Sequence, residues 1–271
     1  MRMTMRLTRV AAIMLRQYYL IRGSVSRTVP LFIWVGVDIV LWGFITKYLN
    51  HVSGSGFNFV PVLLGAVLLW DFCTRVMQGV TMAFFEDVWS RNFLNMFASP
   101  LSISEYLGGL VLSSITTSSV GLGVMLVLAI LAFGLSFFMF GIALFPFFLV
   151  LFLFGIALGI AAVGMVLRLG PASEWFVWPI PALLSPFVGV FYPLSVLPRW
   201  MRAISYALPP SYVFENMRAI LLKQHASITG LATGASLAFC YILVASWFFN
   251  RMYRHAVRTG LIPRYSAETI S

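Results

Sequence analysis

Three ionisable side chains lie inside strongly apolar stretches of this 271-residue chain, and they are Asp38, Asp71 and Arg75. Asp71 and Arg75 are four residues apart and therefore share one face of a helix. Asp38 is counted from the start of its apolar run, and Asp71 and Arg75 are counted from the end of theirs. At 1.5 Å per residue, all three then lie about 12–18 Å from the same face of the membrane. Because charges in such segments are costly, we expect them to meet in one ionic cluster. The cluster would be either a polar gate in a transport path or a static clamp between two helices.

Other side chains give little indication of catalysis. His51, His225 and His255 are scattered, and no two share a face at a spacing that suits a metal ion, so we expect no metal site. The sequence contains no GxxxxGK[ST], GxSxG or HExxH motif. Cys73 and Cys240 fall inside apolar runs, form no CxxC pair and are expected to pack as small apolar side chains. We therefore predict that the chain is not an enzyme.

The composition indicates a membrane protein. Hydrophobic residues make up 61% of the chain, charged residues only 10%, and the mean hydropathy is +0.94. Only helices and closed barrels satisfy their backbone polar groups in lipid. The apolar runs are continuous and longer than the roughly 10-residue alternating strands of a barrel. The predicted fold class is an all-α polytopic membrane protein.

The net charge of +10 is concentrated in the two tails. Six arginines precede the first long apolar run, four follow the last, and Glu268 is the one acidic residue in either tail. Such clustering beside membrane spans follows the positive-inside rule. It predicts cytoplasmic termini and an even number of crossings, and it accounts for the basic charge without a nucleic-acid partner.

Six apolar runs are long enough to be spans. They cover about 29–49, 60–83, 105–133, 139–167, 174–194 and 230–250. Ser102 and Glu105 have the spacing of a capping box at the start of the third run. Gly155 and Gly159, four residues apart in the fourth run, would let a neighbouring helix approach closely. The fifth run is broken by four prolines.

The remaining segments are more polar. We predict that 1–28 forms an amphipathic helix in the cytoplasmic interface, with arginines that reach anionic headgroups. By the count of crossings, 84–101 and the tail 251–271 are cytoplasmic, whereas 195–229 is external. The 195–229 segment is predicted to form two short re-entrant helices separated by Pro209-Pro210. Together these segments make a single transmembrane domain over 1–271.

The 84–101 segment is a candidate docking surface for a soluble partner, with a short helix over 86–98. Its acidic start is poorly suited to an anionic leaflet, although a helix that simply lies on lipid is the alternative. The apolar contact face would comprise Val88, Trp89, Phe93 and Phe97, with Glu86, Asp87 and Arg91 around it.

The broken fifth run is a candidate wall of a translocation path, because prolines remove backbone donors and kink helices. Aromatic side chains beside those prolines could also be ordinary interface residues. Glu215 is expected to pair with Arg218 or to line the outer exit. The candidates for the path are Trp178, Pro179, Pro181, Phe187 and Glu215.

Two groups of local strings resemble the ABC type-two exporter permeases. The first group is Glu86 followed by Ser99-Pro100-Leu101-Ser102 and Glu105-Tyr106-Leu107. The second is Leu197-Pro198-Arg199-Trp200, Pro209-Pro210-Ser211-Tyr212 and Arg218. The resemblance extends over nearly the whole chain, although Arg199 and Arg202 add external positive charge where the orientation rule expects little.

This resemblance implies the permease subunit of an ATP-driven exporter in a bacterial inner membrane. ATP and Mg²⁺ would be bound by a separate ABC ATPase, present in two copies, and 84–101 would be the coupling helix. The permease would pair with a second copy or with a related chain. Short external loops favour a lipid-linked glycan, a lipid or a drug as substrate. The alternative function is an ion-coupled secondary transporter or channel that uses Asp38 and Asp71 and needs no ATPase.

Overall fold

The computed structural model describes residues 2–53, 59–90, 96, 99–135 and 137–261. Within these residues the chain is helical and contains no strand, as predicted. The α-helices whose bounds are described are α1 (Arg2–Arg22), α2 (Val25–Ser53), α3 (Gly65–Trp89), α4 (Ile103–Phe133), α5 (Leu144–Leu169), α6 (Glu174–Val177), α7 (Ile180–Val188), α8 (Arg199–Ala207), α9 (Pro209–Leu221) and α10 (Ile228–Arg258). A π-helical turn, Val60–Leu64, leads into α3, and a 3₁₀ segment, Phe137–Ala143, leads into α5.

Four stretches of the described residues are long and apolar enough to cross a membrane. They are Val60–Trp89, Ile103–Phe133, Met139–Leu169 and Ile228–Arg258. They contain the second, third, fourth and sixth predicted runs. The first run lies within α2, a helix of 29 residues that would be about 43 Å long at 1.5 Å per residue.

The fifth predicted run is not one continuous helix. Residues 174–188 form the four-residue α6 and the nine-residue α7, separated at Trp178 and Pro179, and the chain after α7 is largely irregular. Pro179 and Pro181 stand at the start of α7, where the missing N–H groups cost nothing. The run is therefore divided at Pro179, whereas Pro186 lies inside α7.

The segment 195–229 forms two short helices, α8 and α9. The break between them lies at Leu208, which has extended backbone angles. Pro209 and Pro210 begin α9 instead of standing between the helices, as the sequence had suggested, because proline is well tolerated in a first helical turn.

The start of α4 has the predicted capping box. The backbone N–H of Glu105 donates to the Ser102 hydroxyl at 3.3 Å, and the backbone N–H of Ser102 donates to the Glu105 carboxylate at 2.9 Å. These bonds satisfy two amides that would otherwise lack partners. At the other end, α4 ends at Gly134 with a φ of +65°, a left-handed conformation that glycine adopts without strain.

The two predicted glycines of α5 form a close contact with α3. A Cβ atom at Gly155 would lie 2.7 Å from the carbonyl oxygen of Cys73, and one at Gly159 would lie 2.8 Å from Cβ of Val80. Residue numbers increase in the same direction along both helices, from Gly155 to Gly159 in α5 and from Cys73 to Val80 in α3. The two helices are therefore parallel. The absence of side chains lets the helix backbones approach closely.

Replacing Gly155 by alanine is expected to destabilise the protein by about 1–3 kcal/mol, because the added methyl group would press on a backbone carbonyl. The free energy of unfolding in mixed micelles measures this effect. Gly123→Ala on α4 is the matched control, since its Cβ would meet no atom within 4 Å. Equal stability of the two variants would contradict the close packing of α3 on α5.

The remaining long helices fix the order of the bundle. Tyr106 at the start of α4 bonds Asp87 at the end of α3, and the Ser114 hydroxyl donates to the Val76 carbonyl at 2.8 Å, so α3 and α4 are antiparallel. Phe154 contacts Tyr241 with 5.3 Å between ring centroids, and Gly164 lies against Phe249. α5 and α10 are therefore parallel.

The chain between α5 and α10 returns from one end of the bundle to the other. Near its beginning, Glu174 accepts a hydrogen bond of 3.0 Å from the indole of Trp89, at the end of α3. Further on, the ring of Phe214 in α9 lies 6.3 Å from that of Trp70, near the start of α3. This return is what allows two successive long helices to point the same way.

Candidate functional site

The first residues of the predicted coupling segment belong to α3. This helix continues through Glu86, Asp87, Val88 and Trp89, and the backbone N–H of Ser90 donates to the Glu86 carbonyl at 3.0 Å. A separate helix that starts at residue 86 is therefore wrong, because Phe84 and Phe85 extend the buried face of α3 without a helix breaker. Arg91, Phe93 and Phe97 lie outside the described residues.

Asp87 is the centre of a buried network. Its carboxylate is 0% exposed, forms an ion pair with the Arg16 guanidinium of α1 and accepts a 2.7 Å hydrogen bond from the Tyr106 hydroxyl of α4. Burial lowers the pKa of Arg16, but the hydrogen bond and charge of Asp87 outweigh it and leave this pKa above its ordinary value. The ion pair and the Tyr106 hydrogen bond together join α1, α3 and α4.

A second ion pair lies beside the first. The Arg9 guanidinium approaches the Glu105 carboxylate at 3.4 Å, and Glu105 also completes the capping box of α4. Between the two arginines of α1, Ile13 packs on Gly109, where a Cβ atom would lie 2.6 Å from that of Ile13. Arg9 and Arg16 thus contact protein carboxylates, whereas the sequence had suggested lipid headgroups. We call Arg9, Arg16, Asp87, Glu105 and Tyr106 the N-terminal junction.

The predicted apolar docking face is only partly a surface. Val88 packs in the core and is 9% exposed, whereas Trp89 is 41% exposed. The Trp89 ring lies 5.7 Å from that of Phe85, and its N–H is bonded to Glu174. Glu86 is half-buried. Of the described residues of the predicted apolar face, Trp89 is thus the one that lies at the surface.

The intramembrane ions lie among α2, α3 and α4. The Arg75 guanidinium bonds the Asp71 carboxylate at 2.6 Å, and the two side chains are only 12% and 16% exposed. Asp38 of α2 is near enough for its carboxyl group to interact electrostatically with both. Gly121 of α4 faces the aliphatic part of Arg75. This arrangement can hold helices together, and it also places a polar group deep in the bundle.

Glu215 lies among backbone groups at the other end of the bundle. Its carboxylate accepts hydrogen bonds from the Leu194 amide at 3.0 Å and from Arg218 at 2.8 Å, which confirms the predicted ion pair. Arg218 also donates to the Gly189 carbonyl at 2.7 Å. Together these bonds fasten α9 to the chain that follows α7.

Arg202 is one of the two arginines that the orientation rule did not lead us to expect, and its contacts give it a structural role. Its guanidinium donates to the carbonyls of Leu194, Ser195 and Leu197 at 2.6–3.0 Å. An arginine is well suited to this role, because its five donors are held in one plane. These hydrogen bonds give Arg202 a structural role in the loop before α8.

The other path candidates are distributed over both ends of α7. Pro181 is buried in the first turn of α7, and Trp178 is 42% exposed just before that helix. Phe187 is half-buried, with its ring 6.3 Å from that of Trp200. The structure therefore assembles Phe187 and Glu215 near one loop but leaves Trp178 and Pro179 at the opposite end of α7.

Sequence reasoning missed the structural role of Asp87. One available signal was position, since Asp87 follows Val80 by seven residues, or two helical turns, and so continues the buried face of α3. Nothing in the local sequence identified its partners, because Arg16 is 71 residues away.

The fold and this arrangement define a polytopic helical membrane protein whose long helices are tied together at one end by ion pairs. The chain belongs to the ABC-2 type transporter family, whose profile matches residues 10–222, more than half of its length. The match extends from α1 into the turn after α9 and includes four of the five residues of the N-terminal junction, all but Arg9. A search of curated proteins found no match. The domain is thus a transport permease domain of the ABC class rather than a catalytic one.

Proposed function

We propose that this chain is the permease subunit of an ATP-driven exporter. The observation that carries the proposal is the family match over residues 10–222. In this proposal, two permease copies and two copies of a separate ABC ATPase form the working transporter. ATP and Mg²⁺ are bound by the ATPase, and the chain itself supplies the path through the bacterial inner membrane.

The directions of the helices support six crossings. Three of the four long spans run in one direction, and Ile103–Phe133 runs in the other. Six crossings then require two further passages in the direction of Ile103–Phe133. α2 supplies one, and the broken segment that contains α6 and α7 supplies the other. The prolines of this last segment interrupt its helical hydrogen bonds, and in transporters such broken helices often flank the translocation path.

The N-terminal junction supports a mechanical link to the ATPase. The polar connection between α3 and α4 begins and ends beside it, at Asp87 and Glu105. A soluble subunit that pushes on this connection would therefore also move α1, because two ion pairs hold the three helices together. Trp89, exposed at the end of α3, is the apolar group offered to that subunit.

Replacing Trp89 and Phe93 by alanine together is expected to abolish copurification of the ATPase while the permease still inserts. Two aromatic side chains at the centre of an interface commonly contribute several kcal/mol, enough to lose the partner. The measurement is a pull-down of the ATPase from membranes of the native host, followed by ATPase stimulation.

Glu174→Ala is the matched control, since it removes the hydrogen bond of Trp89 but leaves the aromatic surface in place. We expect this variant to retain the ATPase. Wild-type affinity in the double variant would overturn the docking assignment.

The substrate is proposed to be an amphiphile, and its class can be tested by transport into vesicles with the ATPase present. A lipid-linked glycan, a phospholipid and a hydrophobic drug are the three cargoes to compare. Transport that proceeds without ATPase and follows an ion gradient would favour the secondary-transporter alternative. The ion pair of Asp71 with Arg75 argues against that alternative, because its carboxylate is already neutralised.

A further inference from the structure

A basic pocket lies at the end of the bundle where α5 and α10 finish. Arg168 of α5 and Arg251, Arg254, His255 and Arg258 of α10 line a cavity of about 540 Å³. Met252 and Trp247 add apolar surface to the same cavity. The Arg251 guanidinium lies 5.9 Å from the centre of the Trp247 ring, within the range of a cation–π contact.

Among the described residues, the charge of the basic pocket has no acidic counterpart. As far as the structure describes the chain, its four arginines form no ion pair with a carboxylate. The arginines are held together because α10 packs on α5 through apolar contacts, including Phe249 and the buried Ala256. A cluster of exposed guanidinium groups is complementary to phosphate oxygens, which accept paired hydrogen bonds from such forks.

An apolar stripe on α10 leads directly to the basic pocket. Phe239, Leu243 and Trp247 follow one another at four-residue intervals, and each is more than half exposed. Arg251 takes the next position in this series. α10 has 31 residues, so at 1.5 Å per residue it is about 46 Å long and exceeds a hydrocarbon layer of about 30 Å. The stripe therefore lies at acyl-chain depth and the pocket at the headgroup layer.

We infer that the basic pocket binds the phosphate headgroup of an anionic membrane lipid, whose acyl chains lie along the apolar stripe. The arginines recognise the phosphate, and the stripe distinguishes a lipid from a free phosphate ion. Such pockets between membrane helices are typical of sites for anionic lipids. This site differs from the proposed translocation path, and binding there requires neither the ATPase nor transport.

The test is a titration of the purified full chain in neutral detergent with fluorescent phosphatidylglycerol. Replacing Arg254 and Arg258 by glutamine should weaken binding roughly 30-fold, given the usual contribution of each basic residue near an anionic lipid. The matched control is Arg199→Gln with Lys223→Gln, which removes the same charge from exposed positions in the region of α8 and α9. We expect the control to bind like the wild type.

Two further arms distinguish the source of the phosphate. Trp247→Ser should weaken phosphatidylglycerol binding several-fold, and millimolar inorganic phosphate should not displace the lipid. Displacement by inorganic phosphate together with a silent Trp247→Ser would assign a free-phosphate site and overturn the lipid assignment. Arg168→Gln serves as a second variant if the double variant does not fold.

Other results would also refute the inference. Equal loss of binding in the double variant and in its matched control would mean that only overall charge matters. Unchanged lipid affinity together with reduced recovery of the ATPase would assign these arginines to a protein contact instead. Failure of the exporter proposal itself would leave the lipid titration unaffected, because the titration contains no ATPase.

Discussion

Replacing Asp87 by alanine is expected to destabilise the protein by about 3–5 kcal/mol, because it leaves a charged guanidinium in the protein without its anion. Arg16 and Tyr106 both direct hydrogen bonds to this buried carboxylate. The free energy of unfolding is measured by denaturant titration in mixed micelles. We also expect release of α1, which proteolysis near Gly23-Ser24 would detect.

Two further variants separate charge from packing. Tyr106→Phe removes one hydrogen bond and keeps the ring, so its cost should be only about 1 kcal/mol. The double variant Arg16→Met/Asp87→Leu removes both charges and should recover much of the loss, since apolar replacements of buried ion pairs are often tolerated. An Asp87→Ala variant within 1 kcal/mol of the wild type would contradict the junction.

The features that sequence reasoning predicted correctly depend on residues close together in the chain. The capping box joins Ser102 to Glu105, and the ion pairs Asp71–Arg75 and Glu215–Arg218 join residues three or four apart. Helical geometry determines which of these side chains can meet. The glycine pair of α5 also needs only one helix, although the identity of its neighbour does not follow from it.

The features that were missed depend on partners far away in the chain. Arg9 and Glu105 are 96 residues apart, and Arg16 and Asp87 are 71 apart. The amphipathic pattern of α1 predicts a helix at an interface, but the same arginine stripe suits lipid phosphates and protein carboxylates equally well. Only the packing of α1 against α4 decides between them. Similarly, prolines predicted a distorted fifth run, but its division into α6 and α7 depends on the surrounding bundle.

Arg75 is the second position where a large effect is expected. Replacing it by alanine removes the cation from a cluster that contains Asp71 and, nearby, Asp38. Two carboxylates would then remain in a poorly solvated region without their shared counter-ion, and the cost should reach about 3–5 kcal/mol. Asp38→Ala or Asp71→Ala should each be milder, because one carboxylate still accompanies the arginine.

Charge balance in this cluster can be tested by a second substitution. Arg75→Ala combined with Asp71→Asn should recover part of the folding yield and of transport, because the added change removes one of the two carboxylate charges. Lys47→Ala is the control for loss of a cation, since Lys47 is exposed and rests on the Phe133 ring at 5.0 Å. We expect this control to behave almost like the wild type. If Arg75→Ala is as mild as Lys47→Ala, then Asp38, Asp71 and Arg75 do not act as one cluster.

The same variants separate the two roles proposed for the cluster. A variant that folds normally but no longer transports would assign the cluster to the translocation path. A loss of stability that accounts for the loss of transport would instead make it a clamp between α2 and α3.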